Sequence, residues 1–408
     1  MKKLNLKNKY IKGAVGLVLL VVFFGAGFYT LRNTDLTEES LESSKLFDTK
    51  DDKGKEVKED NKNKLEKETK EERKAREERE EYKIILEDLF DFRNTAILNK
   101  NEDILKGIFD TDIKFGLWAY EHEIKKMKYL ENWSSKQGVK FKNIKTKVNV
   151  RKVREREKNL YGVICSVSTE YKYTYANQKD KVNTFRIGTE HYLHVKKVKN
   201  KYIITKEWYT DPFADSLNLE NIKSDDIRNF IDSKKEVELN LTPEQKKGVS
   251  YAHKYAGSAA DEEDGLKFNE NYRNYNPEGG DCANYASQIM FESGRFEKNA
   301  TWNYSEGAGT KAWVNAQAFK NYLLYSGRGS LLTKGTFEEV YKEAYFLRPG
   351  DIVGYEKGGR ITHVSTVTGL DSKGYPLVTC HNTDRLLVPW DLGWSDKDIK
   401  FHIIKVNY

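Results

Sequence analysis

Gly279-Gly280-Asp281-Cys282-Ala283-Asn284-Tyr285-Ala286-Ser287-Gln288 is the stretch whose reading decides the fold. Two glycines make a turn, an acid stands where a helix needs an N-cap, and a cysteine follows at the first helical position. Unpaired backbone amides and the positive end of the macrodipole favour a thiolate there. A helix start and a histidine partner together bring a cysteine from about 8.5 down to about 3.5 to 7.5. Cys282 shares a helix face with Tyr285, Ala286 and Ile289, so its sulfur points toward a sheet, and its base must come from a strand.

Downstream, Arg348-Pro349-Gly350-Asp351-Ile352-Val353 leads into the alternating run Ile361-Thr362-His363-Val364-Ser365-Thr366-Val367-Thr368-Gly369. After a turn over Leu370 to Gly374, Tyr375-Pro376-Leu377-Val378-Thr379-Cys380-His381-Asn382 returns. A hairpin centred on Ser372 pairs Gly369 with Tyr375, and therefore His363 with His381, with Cβ atoms about 4.5 to 5.5 Å apart. His381 would then orient His363, as the third member of a triad orients the base. A register one residue different brings Asn382 opposite His363 instead. Cys380 falls on the other face in the first register, as a packing residue. Singly, each residue has an ordinary reading: a buried cysteine packs and a strand histidine is satisfied by its neighbours. Together, a capped helix-start cysteine, a strand histidine about 80 residues later and a polar residue on the next strand follow the order of short papain-like enzymes.

From Tyr251 to Trp390 the chain resembles the "putative amidase" domain family of Gram-positive bacteria, related to the NlpC/P60 and CHAP cell-wall hydrolases. The resemblance rests on KYAGSA, NYRNYNPEGGDCANYASQIMFESG, Trp302, KAWVNAQAFKNYLL, LRPGDIVGYE, THVSTVTG and CHNTDR. It implies a papain-like fold, Cys282 as nucleophile, His363 as base, and a polar third residue at His381 or Asn382. It requires no cofactor, and peptidoglycan or another cell-wall amide is the implied substrate. Asp281 is the expected helix cap, and Trp302, Tyr304, Trp313 and Tyr355 are candidates to line a substrate groove. The acidic stretch SAADEEDGLKF, from Ser258, departs from the family pattern.

Working outward, Thr242-Pro243-Glu244 signals a helix start and opens a C-terminal domain over 241–408, after a polar linker over 213–240. Residues 82–212 read first as amphipathic helices, through Ile84 to Ile97 and Phe115 to Leu130. The strand runs KTKVNVRKV, LYGVICSVSTEYKYTY, VNTFRIGTEHYLHVKKV and KYIITKEWY follow. That order resembles the cone-shaped nuclear-transport-factor-like α+β domains, so the whole is expected to be α+β. His191 and His194 lie three apart on a strand, on opposite faces, and make no ligand pair. Residues 32–81 are mostly charged, a spacer that is partly helical. Residues 13–31 carry no charge and are long enough to cross a bilayer as a helix, behind a basic tail over 1–12. Uncleaved anchor or signal peptide processed near Gly25-Ala26-Gly27, either reading exports the remainder.

The chain has 408 residues, 38% hydrophobic and 33% charged, and the formal charge of +7 is spread over segments of both signs, which gives no nucleic-acid reading domain. Cys165, Cys282 and Cys380 are too few for a disulfide framework, and no metal-ligand spacing occurs. The dense lysines and arginines between Lys125 and Lys158 suit an anionic surface.

Overall fold

The computed structural model describes residues 69–213, 225–260, 267–394 and 398–408, within one compact unit, Lys62–Tyr408. The expected anchor, basic tail and most of the charged spacer lie outside the described residues. Among those described, no helix is long and apolar enough to cross a membrane.

Helix α1 (Lys70–Asn99) opens with a reciprocal capping box: the Glu72 amide donates to Thr69 Oγ1 at 3.2 Å and the Thr69 amide to Glu72 Oε2 at 2.8 Å. The end of the charged spacer, from Lys70, and the amphipathic helix expected after it are one element, because no glycine or proline interrupts Lys70–Asn99. Its first turns are solvated, and from Tyr82 onward Leu86, Leu89 and Phe90 are buried. After α2 (Glu102–Lys106), α3 (Lys114–Gln137) ends at Gly138, whose φ of 70° suits glycine. Four strands then form an antiparallel meander: β1 (Val139–Glu157), β2 (Leu160–Tyr175), β3 (Gln178–Val198) and β4 (Lys201–Tyr209).

In the expected linker lies α4 (Asp225–Asp232), whose Ile227 and Ile231 enter the core. Next comes α5 (Pro243–Lys254), capped by Thr242 and Gln245. It is followed by α6 (Cys282–Glu292), the short pair β5 (Tyr304–Ser305) and β6 (Ala308–Gly309), α7 (Lys311–Val314), α8 (Ala316–Tyr325), β7 (Gly329–Gly335) and α9 (Phe337–Ala344). The last strands are β8 (Ile352–Lys357), β9 (Arg360–Leu370), β10 (Pro376–Cys380), β11 (Asp384–Pro389) and β12 (Ile399–Val406). The architecture is α+β with antiparallel pairing, as expected from the sequence.

One junction matters most for the site. Strand β11 pairs with β3, Asp384 opposite Gly188 and Leu386 opposite Arg186, so a single ten-stranded sheet runs β1-β2-β3-β11-β10-β9-β8-β12-β7, with β4 also on β3. The core follows the sheet: Trp133, Tyr173 and Phe185 share one apolar cluster with Tyr375, Trp390 and Phe401. The tip of the β9–β10 hairpin enters the meander, where Asp371 Oδ2 accepts from the Tyr173 and Tyr175 hydroxyls at 2.9 and 2.6 Å. Asn183 holds Ser372 through two hydrogen bonds. Beside it, Lys136 Nζ pairs with Asp391, both fully buried. Desolvating two charges costs several kcal/mol each, and Asp391 recovers part of this by also accepting from Trp133 Nε1 at 3.1 Å and Tyr375 Oη at 2.8 Å.

Candidate active site

Cys282 is the first residue of α6 and is 6% exposed. The backbone amides of Val364, from β9, and of Ala283 favour its thiolate. Burial pushes the thiol up to about 12; the two amides oppose this, while Cys380 and Asp281 add to it. The helix start therefore supplies donors, and the dry surroundings keep the proton on sulfur.

Asp281 occupies the N-cap position, but its carboxylate makes no cap hydrogen bond to the helix. Oδ1 instead accepts from the Tyr275 amide and from Asn284 Nδ2, each at 2.8 Å, and Oδ2 faces His381 Nδ1 at 2.6 Å. This corrects the expected capping role, and the cause is the stronger charge-assisted partner. His381 Nε2 lies 2.7 Å from the Tyr255 carbonyl, and its ring stacks on Tyr285 at 3.6 Å with Phe268 edge-on at 4.7 Å. Both ring nitrogens meet acceptors, so the ring carries both protons. Burial works against that charge, yet Asp281, Asp384 and the Tyr255 carbonyl raise the imidazole above its ordinary value.

His363 is elsewhere. Its Nε2 lies 3.3 Å from Cys380 Sγ and 3.2 Å from Ser365 Oγ, and its ring stacks on Trp394 at 5.0 Å, with Tyr355 at 5.4 Å. Side chains alternate along a strand. Val364 belongs to the apolar cluster of Cys282 and Ala286, whereas Tyr355 belongs to that of Trp390 and Phe401. His363 thus faces away from Cys282. Burial, then Arg385, depress it to about 3, while burial lifts Cys380 to about 11.

The hairpin register centred on Ser372 is corrected: beyond a bulge the two strands pair in the alternative register, one residue different. Leu370 pairs with Pro376 and Gly369 with Leu377, and a bulge follows before Val367 pairs with Val378. The turn keeps its five residues but lies one residue later, over 371–375, because Asp371 Oδ1 takes the amides of both Lys373 and Tyr375, at 2.8 and 2.9 Å. His381 therefore does not bond His363. Asn382 does not either: it turns at φ 73°, and its side-chain amide covers Gly280, where a Cβ would sit 2.5 Å from Asn382 Nδ2. Cys380, expected as packing, is the hydrogen-bond partner of His363.

Trp302, Trp313 and Tyr355 are each 0% exposed and line no open groove. Their polar atoms are used internally: Trp302 Nε1 donates to Ser287 Oγ, Trp313 Nε1 to Asn284 Oδ1 and Tyr355 Oη to the Trp390 carbonyl, at 2.9, 2.9 and 2.8 Å. Tyr304 is 9% exposed and packs against Tyr272. Trp302 and Trp313 brace α6 through Ser287 and Asn284. Among the described residues no group of His, Cys, Asp and Glu is arranged to hold a metal ion. Counting along the chain missed the Asp281–His381 pair, although an acid directly before the cysteine and a histidine in the returning strand were both visible.

Residues 242–404 match the family model described as "Putative amidase domain". The amidase match begins at the N-cap of α5 and ends in β12, and it includes Asp281, Cys282, His363 and His381; α1 to α4 and β1 to β4 lie outside it. It supports a hydrolytic amidase role. A Bacillus subtilis (strain 168) protein described as "Uncharacterized protein YjcM" is 30% identical over 206 residues, 46% of this chain. The chain spans 44% of that relative's length.

Proposed function

We propose that the protein is an exported thiol amidohydrolase that cleaves an amide bond of peptidoglycan, with Cys282 as nucleophile. The observation that carries the thiol assignment is the placement of Cys282 as the first residue of α6, inside a stretch that matches an amidase family. The cell-wall substrate is supported by the likeness to wall hydrolases and by the uncharged segment 13–31 behind its lysines.

His381 is the acid–base group in this reading, in preference to His363, because it stands with α6: paired to Asp281, the neighbour of Cys282, and stacked on Tyr285 one turn further along. In turnover His381 Nε2 exchanges the Tyr255 carbonyl for the thiol. Leaving that carbonyl, the imidazolium first releases its Nε2 proton to solvent; the neutral ring then takes the thiol proton as sulfur attacks the amide carbon, and gives that proton to the leaving amine as the C–N bond breaks. Asp281 holds Nδ1 throughout, and backbone amides at the helix start face the developing oxyanion. Water then hydrolyses the thioester.

A non-catalytic wall-binding domain is the rival, favoured by one observation: burial lifts the Cys282 thiol to about 12. The deciding experiment is digestion of purified peptidoglycan with the full-length protein, with mass assignment of the new termini. Wild-type release of amine and carboxyl termini that is abolished in Cys282→Ser supports the hydrolase; wall binding without new termini supports the rival.

A further inference from the structure

The segment from Tyr255 to Ala260 connects α5 toward the site, and it is clamped between two strands that belong to different parts of the chain. On one side, Ser258 Oγ lies 3.1 Å from Glu190 Oε1 of β3, and Glu190 is in turn held by Arg151 of β1. On the other, the Ser258 amide donates to Asp384 Oδ2 of β11 at 2.7 Å. Between them Gly188 of β3 approaches so closely that an added Cβ would lie 2.4 Å from the Ser258 carbonyl carbon and 2.6 Å from the Ala259 nitrogen. Gly188 is also the ladder partner of Asp384. Gly257, at φ 59°, is equally tight, with Asp384 Oδ2 2.3 Å from its Cβ position. The same segment begins with the carbonyl that holds His381 Nε2.

We propose that Gly188 and Glu190 are positioning residues for the site: they set the height of the Tyr255–Ala260 segment and so the hydrogen bond that Tyr255 offers to His381. The part of the chain before the amidase match is then a fixed wall of the active site, not a separable targeting module. The inference rests on the assignment of His381 as acid–base group. It concerns residues outside the stretch that the family model covers, and it explains a glycine in the middle of a long strand, where glycine otherwise weakens pairing.

The charged groups facing the two ends of this relay are few. His381 meets Asp281 from α6 and Asp384 from β11. Glu190 meets Arg151 and Asp384, with Ser258 and Ser166 as hydrogen-bond partners. Withdrawing the Tyr255 carbonyl removes one acceptor from the imidazolium, which favours the neutral ring.

The test uses full-length protein with 13C-labelled histidine, following the His381 ring by NMR from pH 5 to 9, together with kcat and KM against pH. Gly188→Ala inserts the methyl group against Ser258; Glu190→Ala and Ser258→Ala delete the hydrogen bond from either side. The expected result is a fall of about one pH unit in the His381 titration, with a matching shift of the kcat profile and little change in KM. Glu190→Gln keeps an acceptor for Ser258 and should restore the wild-type titration, which a general loss of stability would not do; it also serves if Gly188→Ala does not fold. An unchanged His381 titration in folded Glu190→Ala and Ser258→Ala overturns the proposal. A shifted titration with an unchanged kcat profile overturns the role of His381 in the reaction while leaving the relay standing.

Discussion

His363 Nε2 and Cys380 Sγ lie 3.3 Å apart, on the face of β9 turned away from Cys282. A thiol and an imidazole at this distance resemble a catalytic pair, but here both are fully enclosed and both are held neutral, the ring near 3 and the sulfur near 11. An ion pair is therefore not what joins them. They are a packed hydrogen bond beneath Trp394.

Substitution separates the two histidines. His381→Ala should lower kcat by about a thousandfold or more, as loss of an acid–base group or its geometry does, with KM little changed. His363→Gln should leave kcat within about tenfold and act on stability instead. Steady-state kinetics on a soluble peptidoglycan fragment give the ranking, and the reverse order would return His363 to the reaction.

The same residue predicts a pH effect on folding. His363 is depressed when folded, to about 3, against about 6.5 in an unfolded chain. The unfolded state therefore binds the extra proton first, and stability is lost as pH falls through 6.5 toward 3. Between pH 6.5 and 4.5 the loss is on the order of 2 to 3 kcal/mol. Asp351, raised by burial to about 6, acts in the opposite sense over part of this range, so the comparison must be with a variant. Urea unfolding at both pH values should show a smaller acid penalty for His363→Gln than for wild type.

Lys136 and Asp391 give a stability prediction of another kind. Asp391→Ala strands a buried ammonium and should cost about 3 to 5 kcal/mol. The double change Lys136→Met with Asp391→Leu should recover most of it, since two apolar side chains need no partner. Denaturant midpoints of the three variants check both statements.

On the solvent side of β1, Lys140, Lys142, Lys145, Lys147, Arg151, Lys152 and Arg154 are exposed along an edge of the sheet. Such a row should hold anionic wall polymer, and attachment should weaken between 0.05 and 0.15 M salt as screening shortens to about 8 Å. Replacing Lys142, Lys145 and Lys147 by glutamate should abolish sedimentation with purified walls at low salt. Salt-independent attachment would remove the electrostatic explanation.

The four-strand meander, the capped start of α5 and the helix-start cysteine were legible because each depends on local pattern: period-two alternation, Thr242 three residues before Gln245, and Gly-Gly-Asp before Cys282. The face on which His363 lies was not. It depends on the bulge between Tyr355 and Glu356, the bulge between Leu377 and Val378, and the five-residue loop closed by Asp371. The displaced loop shifts the register by two and each bulge shifts it by one, and one step exchanges the faces of a strand. The groove aromatics failed for a related reason, since a sequence marks Trp302 and Trp313 as large and apolar without saying that Ser287 and Asn284 wait behind them.

The pairing of β3 with β11 also sets an order of events during synthesis. Arg186 to Gly188 leave the ribosome about 200 residues before their partners Asp384 to Leu386, an interval of roughly 10 to 40 s at ordinary elongation rates. For that time the long strand β3 has a vacant rim on which any extended segment could dock. The nascent chain must therefore be shielded, or kept from folding, until its last strands arrive, and a truncation before β11 should leave an aggregating product and not a smaller working protein.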